Sequence, residues 1–326
     1  MKIDLEEIRA VTARALERHG AAEWVAAEVA RAVAEAEGLS NRICGLYYLE
    51  SYCAQLTTGR VKGDAEPMVT RARPGAVMVD AAQGFAQPAF SRGLPAGVAA
   101  ARDCGVASLA ICHAHTCTAL GFFTARIARA GLIGLGMTNA SPIVAPPGGR
   151  HRVIGTNPVS FAVPDGAGGV AMLVDQSTTT VALGRITMAK AAGAPIPEGW
   201  AVDAEGRPTT DAEAALGGSL VSMSGHKGWG IGLMVELLAA GMTGSRASVD
   251  IAPLKAPEGP PHDIGDYYLL IDPDLSGGAF QERLAQVAAA VARDEGARMP
   301  GQRRVPADPA DVDDAAWVRA RALAGG

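Results

Sequence analysis

The sequence predicts an α/β fold with a helical N-terminal part and a sheet-rich middle. Three observations carry that prediction. Apolar residues recur at helical spacing through the first 57 positions, and short apolar runs alternate with Gly/Pro/Asn turns between Leu132 and Val174. No Gly-x-Gly-x-x-Gly follows a strand, so a Rossmann dinucleotide fold has no local support.

Residues 4–19 read as a helix, with Asp4 at its cap, Leu5, Ile8, Val11 and Leu16 as a stripe, and Gly20 at its end. A second helix spans about 22–37 and stops at Gly38. A third, about 46–57, carries Leu46, Leu49, Cys53 and Leu56. Pro67, Pro74 and Gly75 then mark a turn before a strand at Val77–Asp80. Residues 95–104 are helical, 106–112 form a buried strand, and 119–130 is a helix. Strands follow at 133–137, 159–163 and 170–174, then a helix at about 179–192 and a turn at 203–206. A helix over 227–240, a Pro/Gly-rich loop over 245–265, a strand at 267–271 and a helix at 279–295 complete the pattern.

The 326-residue chain is long enough for two domains and has a formal net charge of −5 with no basic block, which argues against nucleic-acid binding. No apolar run reaches membrane-spanning length, and the acidic, amphipathic N-terminus is unlike a secretory signal. Five cysteines, an odd number, fit reduced thiols in a cytoplasm better than a disulfide framework.

Several segments are suited to an anion. In Ser222-Met223-Ser224-Gly225-His226-Lys227-Gly228-Trp229-Gly230 three glycines flank a His-Lys pair where a helix begins, so backbone amides, the helix dipole and a lysine converge. It is not a phosphate-binding P-loop, because Gly228 follows the lysine where Ser or Thr is required. Thr116 and Thr118 precede the helix at 119. Asp175 ends a buried strand, and Ser177 with Thr178–Thr180 opens a helix, for which capping is a sufficient reading. Met299–Arg304 is a turn with two adjacent cations. Cys112-His113-Ala114-His115-Thr116-Cys117 closes the strand at 106–112, and alternation would put His113 and His115 on one face. Two imidazoles and two thiols can ligate zinc, but no second ligand pair has matching spacing. These residues are therefore expected to line the site, and no metal is assigned.

Taken together, Gln83–Ala89, Gly131–Asn139, Gly155-Thr156-Asn157-Pro158, Pro197–Trp200 with Asp203–Asp211, Gly225-His226-Lys227-Gly228 and Pro300-Gly301 occur in an order that resembles the malate/L-lactate/sulfolactate dehydrogenase family. That family is unrelated to Rossmann-type malate dehydrogenase. The Gly225–Gly228 and Pro300–Arg304 segments are nearest its Δ1-piperideine-2-carboxylate/Δ1-pyrroline-2-carboxylate reductase branch. The resemblance implies a non-Rossmann NAD(P)-binding domain with a mixed, largely antiparallel sheet at 111–280. That domain would be inserted in a helical outer domain, 1–110 plus 281–326, and the protein would work as a homodimer. Carried over by position, the cofactor, NADPH or NADH, would contact Thr116, Cys117, Thr118, Ala119 and Leu120. It would also contact Asp175, Gln176, Ser177, Leu183, Gly184, His226, Lys227, Arg298, Arg303 and Arg304, with Thr156 facing the substrate. Arg303 and Arg304 lean toward the 2′-phosphate of NADPH.

The sequence departs from the family where the chemistry is done. Members carry Ser-His-Gly before a short motif ending in Arg: the His donates the proton, the Ser supports it and the Arg holds the substrate carboxylate. Here the aligned residues are Ile43-Cys44-Gly45, with Tyr48 in the arginine position, and Arg185 stands where imino-acid reductases place an Asp. Hydride transfer to C=O or C=N still needs a proton for the heteroatom. Cys44 can donate it, with Tyr48 or Tyr47 as donor or hydrogen-bond partner, Arg185 as carboxylate clamp and His115 as an alternative acid. An iminium arrives already protonated, which favours an imine reductase over a hydroxy-acid dehydrogenase. The expected function is NAD(P)H-dependent reduction of a small 2-imino or 2-oxo carboxylate. The competing readings are a cofactor-binding homologue with altered chemistry and a metal-dependent hydrolase built on His113 and His115.

Overall fold

The computed structural model describes residues 1–302 and 305–326. In chain order the elements are β1 (Lys2–Ile3), α1 (Leu5–Arg18), α2 (Glu23–Gly38), α3 (Leu49–Thr57), β2 (Met68–Arg73), β3 (Ala76–Asp80), α4 (Ala86–Cys104) and β4 (Val106–Ala114). Then come α5 (Leu120–Arg129), β5 (Ile133–Thr138), β6 (Val159–Pro164), β7 (Val170–Gln176), α6 (Leu183–Ala191), β8 (Ala201–Val202), β9 (Pro208–Thr209), α7 (Ala212–Gly217) and β10 (Ser219–Leu220). The chain finishes with α8 (His226–Glu236), β11 (Ile264–Ile271), α9 (Ala279–Val291), β12 (Ala310–Asp311) and α10 (Asp314–Leu323).

The main sheet has seven strands in the order β2-β3-β4-β11-β5-β6-β7. Only β3 and β4 pair in parallel; every other neighbour is antiparallel. A parallel pair needs a crossover, and α4 supplies it. Its buried face (Ala89, Phe90, Ala100) meets Val79, Leu109 and Tyr268 in one core, beside Phe123 of α5. A second core joins α1, α2, α3 and α10 through Ile8, Leu16, Val29, Tyr52 and Trp317. The two chain ends close on each other: β1 pairs with β12, and the Met1 ammonium donates to the Val312 carbonyl at 2.8 Å.

The departures from the sequence reading have physical causes. The α4 helix begins at Ala86 rather than at 95, and Pro88 lies in its first turn, where no intrahelical N–H bond is lost. Pro95 sits inside the same helix and masks its continuity in the sequence. Strand β2 is exposed at all six positions, so it shows no alternation to read. The helix expected at 179 begins at Leu183, with Ala182 at its N-cap and no side-chain cap. Thr178–Thr180 do not open a helix; they bridge to the 221–223 segment, with Thr180 N–H donating to Val221 O at 2.9 Å. Asp4 occupies the N-cap of α1 but its side chain makes no capping bond.

Candidate active site

Three stretches of chain meet around the crossover end of the sheet. The first is the short 3₁₀ segment at 42–48, just before α3. Gly45 is required there: a Cβ would lie 2.1 Å from Glu37 Oε1, whose carboxylate accepts the Leu46 N–H at 2.8 Å. This anchor presents Cys44 and Tyr48 beside the buried Tyr52 and Cys117. Burial first, then Cys44, Tyr47 and Cys117, push the Tyr48 phenol far above its usual value, so it stays protonated and able to donate. Ile43 reaches α6, where a Cβ on Gly184 would stand 2.9 Å from its Cδ1. Arg185, the next residue, is exposed on the first turn of that helix.

The second stretch follows β4. His115 is 2 % exposed and stacks on His262 at 3.9 Å between ring centroids. Gln55 donates through Nε2 to Leu254 O and Ala256 O, so its Oε1 is an acceptor and His115 Nε2, 2.8 Å away, must be the donor. His115 Nδ1 is then an acceptor with no partner. Burial, then His262 and Arg60, hold His115 far below its ordinary value, and burial takes His262 to about 3. His115 is therefore neutral, with its one proton committed to Gln55, and it is a poor candidate for the alternative acid. His113 has φ 53° and turns to Asp80, so the expected strand alternation fails and the two histidines do not share a partner.

The third stretch joins β7, the 154–158 turn and the start of α8. Thr156 O accepts from Thr178 N–H at 2.9 Å and Thr178 Oγ1 at 3.0 Å, and Met223 N–H donates to Thr178 O. Asn157 Nδ2 donates to Gly232 O and Glu236 Oε2, fixing that turn on α8. Gly225 has φ 63°, and a Cβ on Gly228 would sit 2.1 Å from Met223 O, so these glycines let the loop fold under its helix. His226 and Lys227 are left exposed at the N-terminus. Asp175 lies against Gly121 in the first turn of α5, where a Cβ would meet its Oδ2 at 2.8 Å. The 298–302 segment reaches the same strand, with Leu173 N–H donating to Pro300 O at 3.0 Å. Arg298 is exposed there; Arg303 and Arg304 lie outside the described residues.

These walls fit a dinucleotide. The α5, α6 and α8 helices all begin without a side-chain cap, leaving backbone amides for a pyrophosphate, with Lys227 beside one of them. His115 Nδ1 and Asn157 Oδ1 are buried polar atoms without partners, and the buried Tyr52 hydroxyl has only the Thr118 hydroxyl near it. The profile described as malate/L-lactate dehydrogenase matches residues 3–313.

The chain belongs to the malate/L-lactate dehydrogenase family.

The (2R)-3-sulfolactate dehydrogenase (NADP(+)) of Chromohalobacter salexigens is 40% identical over 93% of this chain and 90% of its own. The Δ1-pyrroline-2-carboxylate/Δ1-piperideine-2-carboxylate reductase of Pseudomonas aeruginosa is 37% identical over 94% of this chain and 92% of its own. The crystal structure of the Δ1-piperideine-2-carboxylate reductase of Pseudomonas syringae pv. tomato superposes with a TM-score of 0.91 at 32% identity, covering 99% of both chains. As a member of the malate/L-lactate dehydrogenase family, this protein is an NAD(P)-dependent oxidoreductase whose cofactor is NADPH or NADH.

Sequence reasoning did not find Gln55, Arg60, Lys255 or His262. Lys255 Nζ lies 3.0 Å from the Tyr47 ring centroid and 4.9 Å from that of Tyr48. It comes from the Pro/Gly-rich loop, where no periodicity marks it. Asp266 was also unread. It is fully buried on the central strand β11, and the Thr138 hydroxyl, which donates to Gly265 O at 3.1 Å, and the Cys117 thiol lie close enough to offset only part of the cost of burying its carboxylate. Burial raises its pKa from 3.8 to about 7. The folded state thus binds this proton more tightly than the unfolded chain, and the associated stability is full below pH 3.8 and lost as pH rises to about 7. We expect Asp266→Asn to be more stable than wild type at pH 8, by at most about 4 kcal/mol, with the gain vanishing below about pH 4. Denaturant midpoints at the two pH values measure this; a difference independent of pH would contradict it.

Proposed function

We propose that the protein uses NADPH in preference to NADH to reduce a small cyclic 2-imino carboxylate, with a 2-oxo carboxylate as the second substrate class. The observation carrying this reading is the pairing of a family-like cofactor wall with an acid position occupied by Cys44 rather than histidine. A protonated iminium needs less from that acid than a ketone does. The NADPH preference is supported by the relative named for NADP(+). A bound reduced nicotinamide would supply the hydride. For a ketone or a neutral imine Cys44 delivers the proton to the heteroatom, whereas a protonated iminium becomes the neutral amine on hydride addition and takes none. Tyr48, held protonated by burial, donates a hydrogen bond beside it. Arg185, one residue from the Gly184–Ile43 contact, holds the carboxylate, and Thr156 faces the substrate. His226, Lys227, Thr116–Leu120, Asp175–Ser177, Leu183-Gly184 and Arg298 orient the dinucleotide.

Residues 111–280 carry most of this wall as the NAD(P)-binding domain, with 1–110 and 281–326 as the outer domain. The main sheet nevertheless takes β2 and β3 from before residue 110. A homodimer is supported by the apolar stripe left exposed on and after α8 (Met234 46%, Leu237 69%, Met242 55%). Sedimentation velocity giving a monomer mass would remove that part of the reading. No described helix is long and apolar enough to cross a membrane, and no disulfide links the described cysteines, which supports a reducing, cytoplasmic setting.

The test is a spectrophotometric panel of Δ1-piperideine-2-carboxylate, Δ1-pyrroline-2-carboxylate, pyruvate, oxaloacetate and sulfopyruvate with each cofactor. Cyclic imines should give the highest kcat/KM. Cofactor binding without turnover of any of them would favour the altered-chemistry homologue instead.

A further inference from the structure

Three different donor atoms, none of them assigned to the cofactor wall, converge at the ends of the parallel strands. Asp80 ends β3 and Cys112 is its register partner on β4, so the two face each other across the pair. His113 follows Cys112 directly, and in a regular strand its side chain would point to the opposite face. Its φ of 53° reverses that, and the imidazole swings back over Asp80, with Nδ1 3.0 Å from Oδ1. The Asp80 oxygen, Cys112 Sγ and His113 nitrogen then all lie within 4.8 Å of one another.

We propose that Asp80, Cys112 and His113 form a binding site for a thiophilic divalent cation of the zinc class, separate from the nicotinamide site. One carboxylate, one thiolate and one imidazole are a donor set such ions select. The spacing suits it. Around an ion with 2.0–2.1 Å bonds to N and O, tetrahedral ligand edges are about 3.3 Å, close to the separation of the carboxylate and the imidazole. Cys112 is buried as the floor of the site, while the His113 and Asp80 side chains are 44% and 36% exposed, leaving an approach from solvent and a fourth position for water. Asp263 stands near Cys112 with its Oδ1 unbonded, while its Oδ2 pairs with Arg246 at 3.7 Å, so it offers a further oxygen but little net charge.

An ordinary ion pair explains less. A half-exposed His–Asp pair is weakly stabilising and does no more than offset the cost of holding a non-glycine residue in the left-handed region. The Cys112 thiol donates to Val79 O at 3.6 Å and Asp80 Oδ1 also accepts the Ala82 N–H at 2.7 Å, contacts that an ion would displace or share, but neither accounts for the reversed His113 backbone beside them. A bound ion does, and it would tie the ends of β3 and β4 together two residues before His115.

The experiment is titration of chelator-treated, full-length protein with Co²⁺, followed by thiolate-to-cobalt charge-transfer absorbance, with Zn²⁺ as competitor. The expected result is about one cobalt per chain, displaced by zinc, retained through gel filtration and counted by elemental analysis. Cys112→Ala should abolish the charge-transfer band. His113→Asn, which tolerates the left-handed backbone, should weaken binding roughly tenfold or more while leaving the fold intact by circular dichroism. Failure to retain any ion, or a charge-transfer band that persists in Cys112→Ala, would overturn the assignment.

Discussion

Replacing Cys44 with alanine should lower kcat for a 2-oxo carboxylate by roughly 10²- to 10⁴-fold, the usual contribution of a positioned general acid. The same substitution should cost a cyclic iminium substrate far less, about tenfold or under, because that nitrogen already carries its proton. The two substrates thus separate proton donation from mere packing, which would depress both alike. The backbone at this position is fixed by Glu37 and Gly45, so the variant should keep the geometry of its neighbours. Steady-state kinetics with NADPH saturating measures both effects. Equal losses on the two substrates, or none on either, would remove Cys44 from the role of acid.

Arg60→Ala should destabilise the protein by about 3–5 kcal/mol. Arg60 is 2 % exposed, and its guanidinium donates to the carbonyls of Pro253 and Pro260 at 3.1 and 3.0 Å and also to Ala256 O. Truncation leaves those carbonyls unpaired and opens a cavity beneath the loop that carries Lys255 and His262. Arg60→Met restores much of the volume but not the donors, so it should recover only part of the loss. It should also let His262 protonate more readily, since Arg60 is one of the charges holding that ring neutral. Denaturant unfolding gives the stability change and NMR titration gives the histidine shift. An Arg60→Ala loss under about 1 kcal/mol would show that the loop is held by something else.

Much of the fold was legible because its elements carry local signals. The stripes of α1 and α2 and the apolar runs of β4, β5, β6 and β11 follow from burial on one or both faces. Elements without such a contrast were not legible. Exposed β2 and the two-residue strands fall in this group, and α4 is interrupted in sequence by Pro95. The α8 loop could be read as an anion site because glycines, a lysine and a helix start are contiguous. The rest of the site could not, because it is assembled across long separations. Gln55 finds His115 60 residues on, and Arg60 holds Pro260 200 residues on. His113 shows the limit of strand alternation most directly, since one left-handed residue sends its ring to Asp80 while His115 goes to Gln55.

In the proposed function the uncapped start of α8, with Lys227, holds a nicotinamide dinucleotide. Calorimetric titration of NADPH into wild type and Lys227→Ala tests it most directly. The prediction is saturable binding to wild type and about tenfold or greater weakening in the variant, as expected for loss of a charge-assisted phosphate contact. No binding of NADPH or NADH to the wild-type protein, or identical affinities in the two proteins, would contradict it.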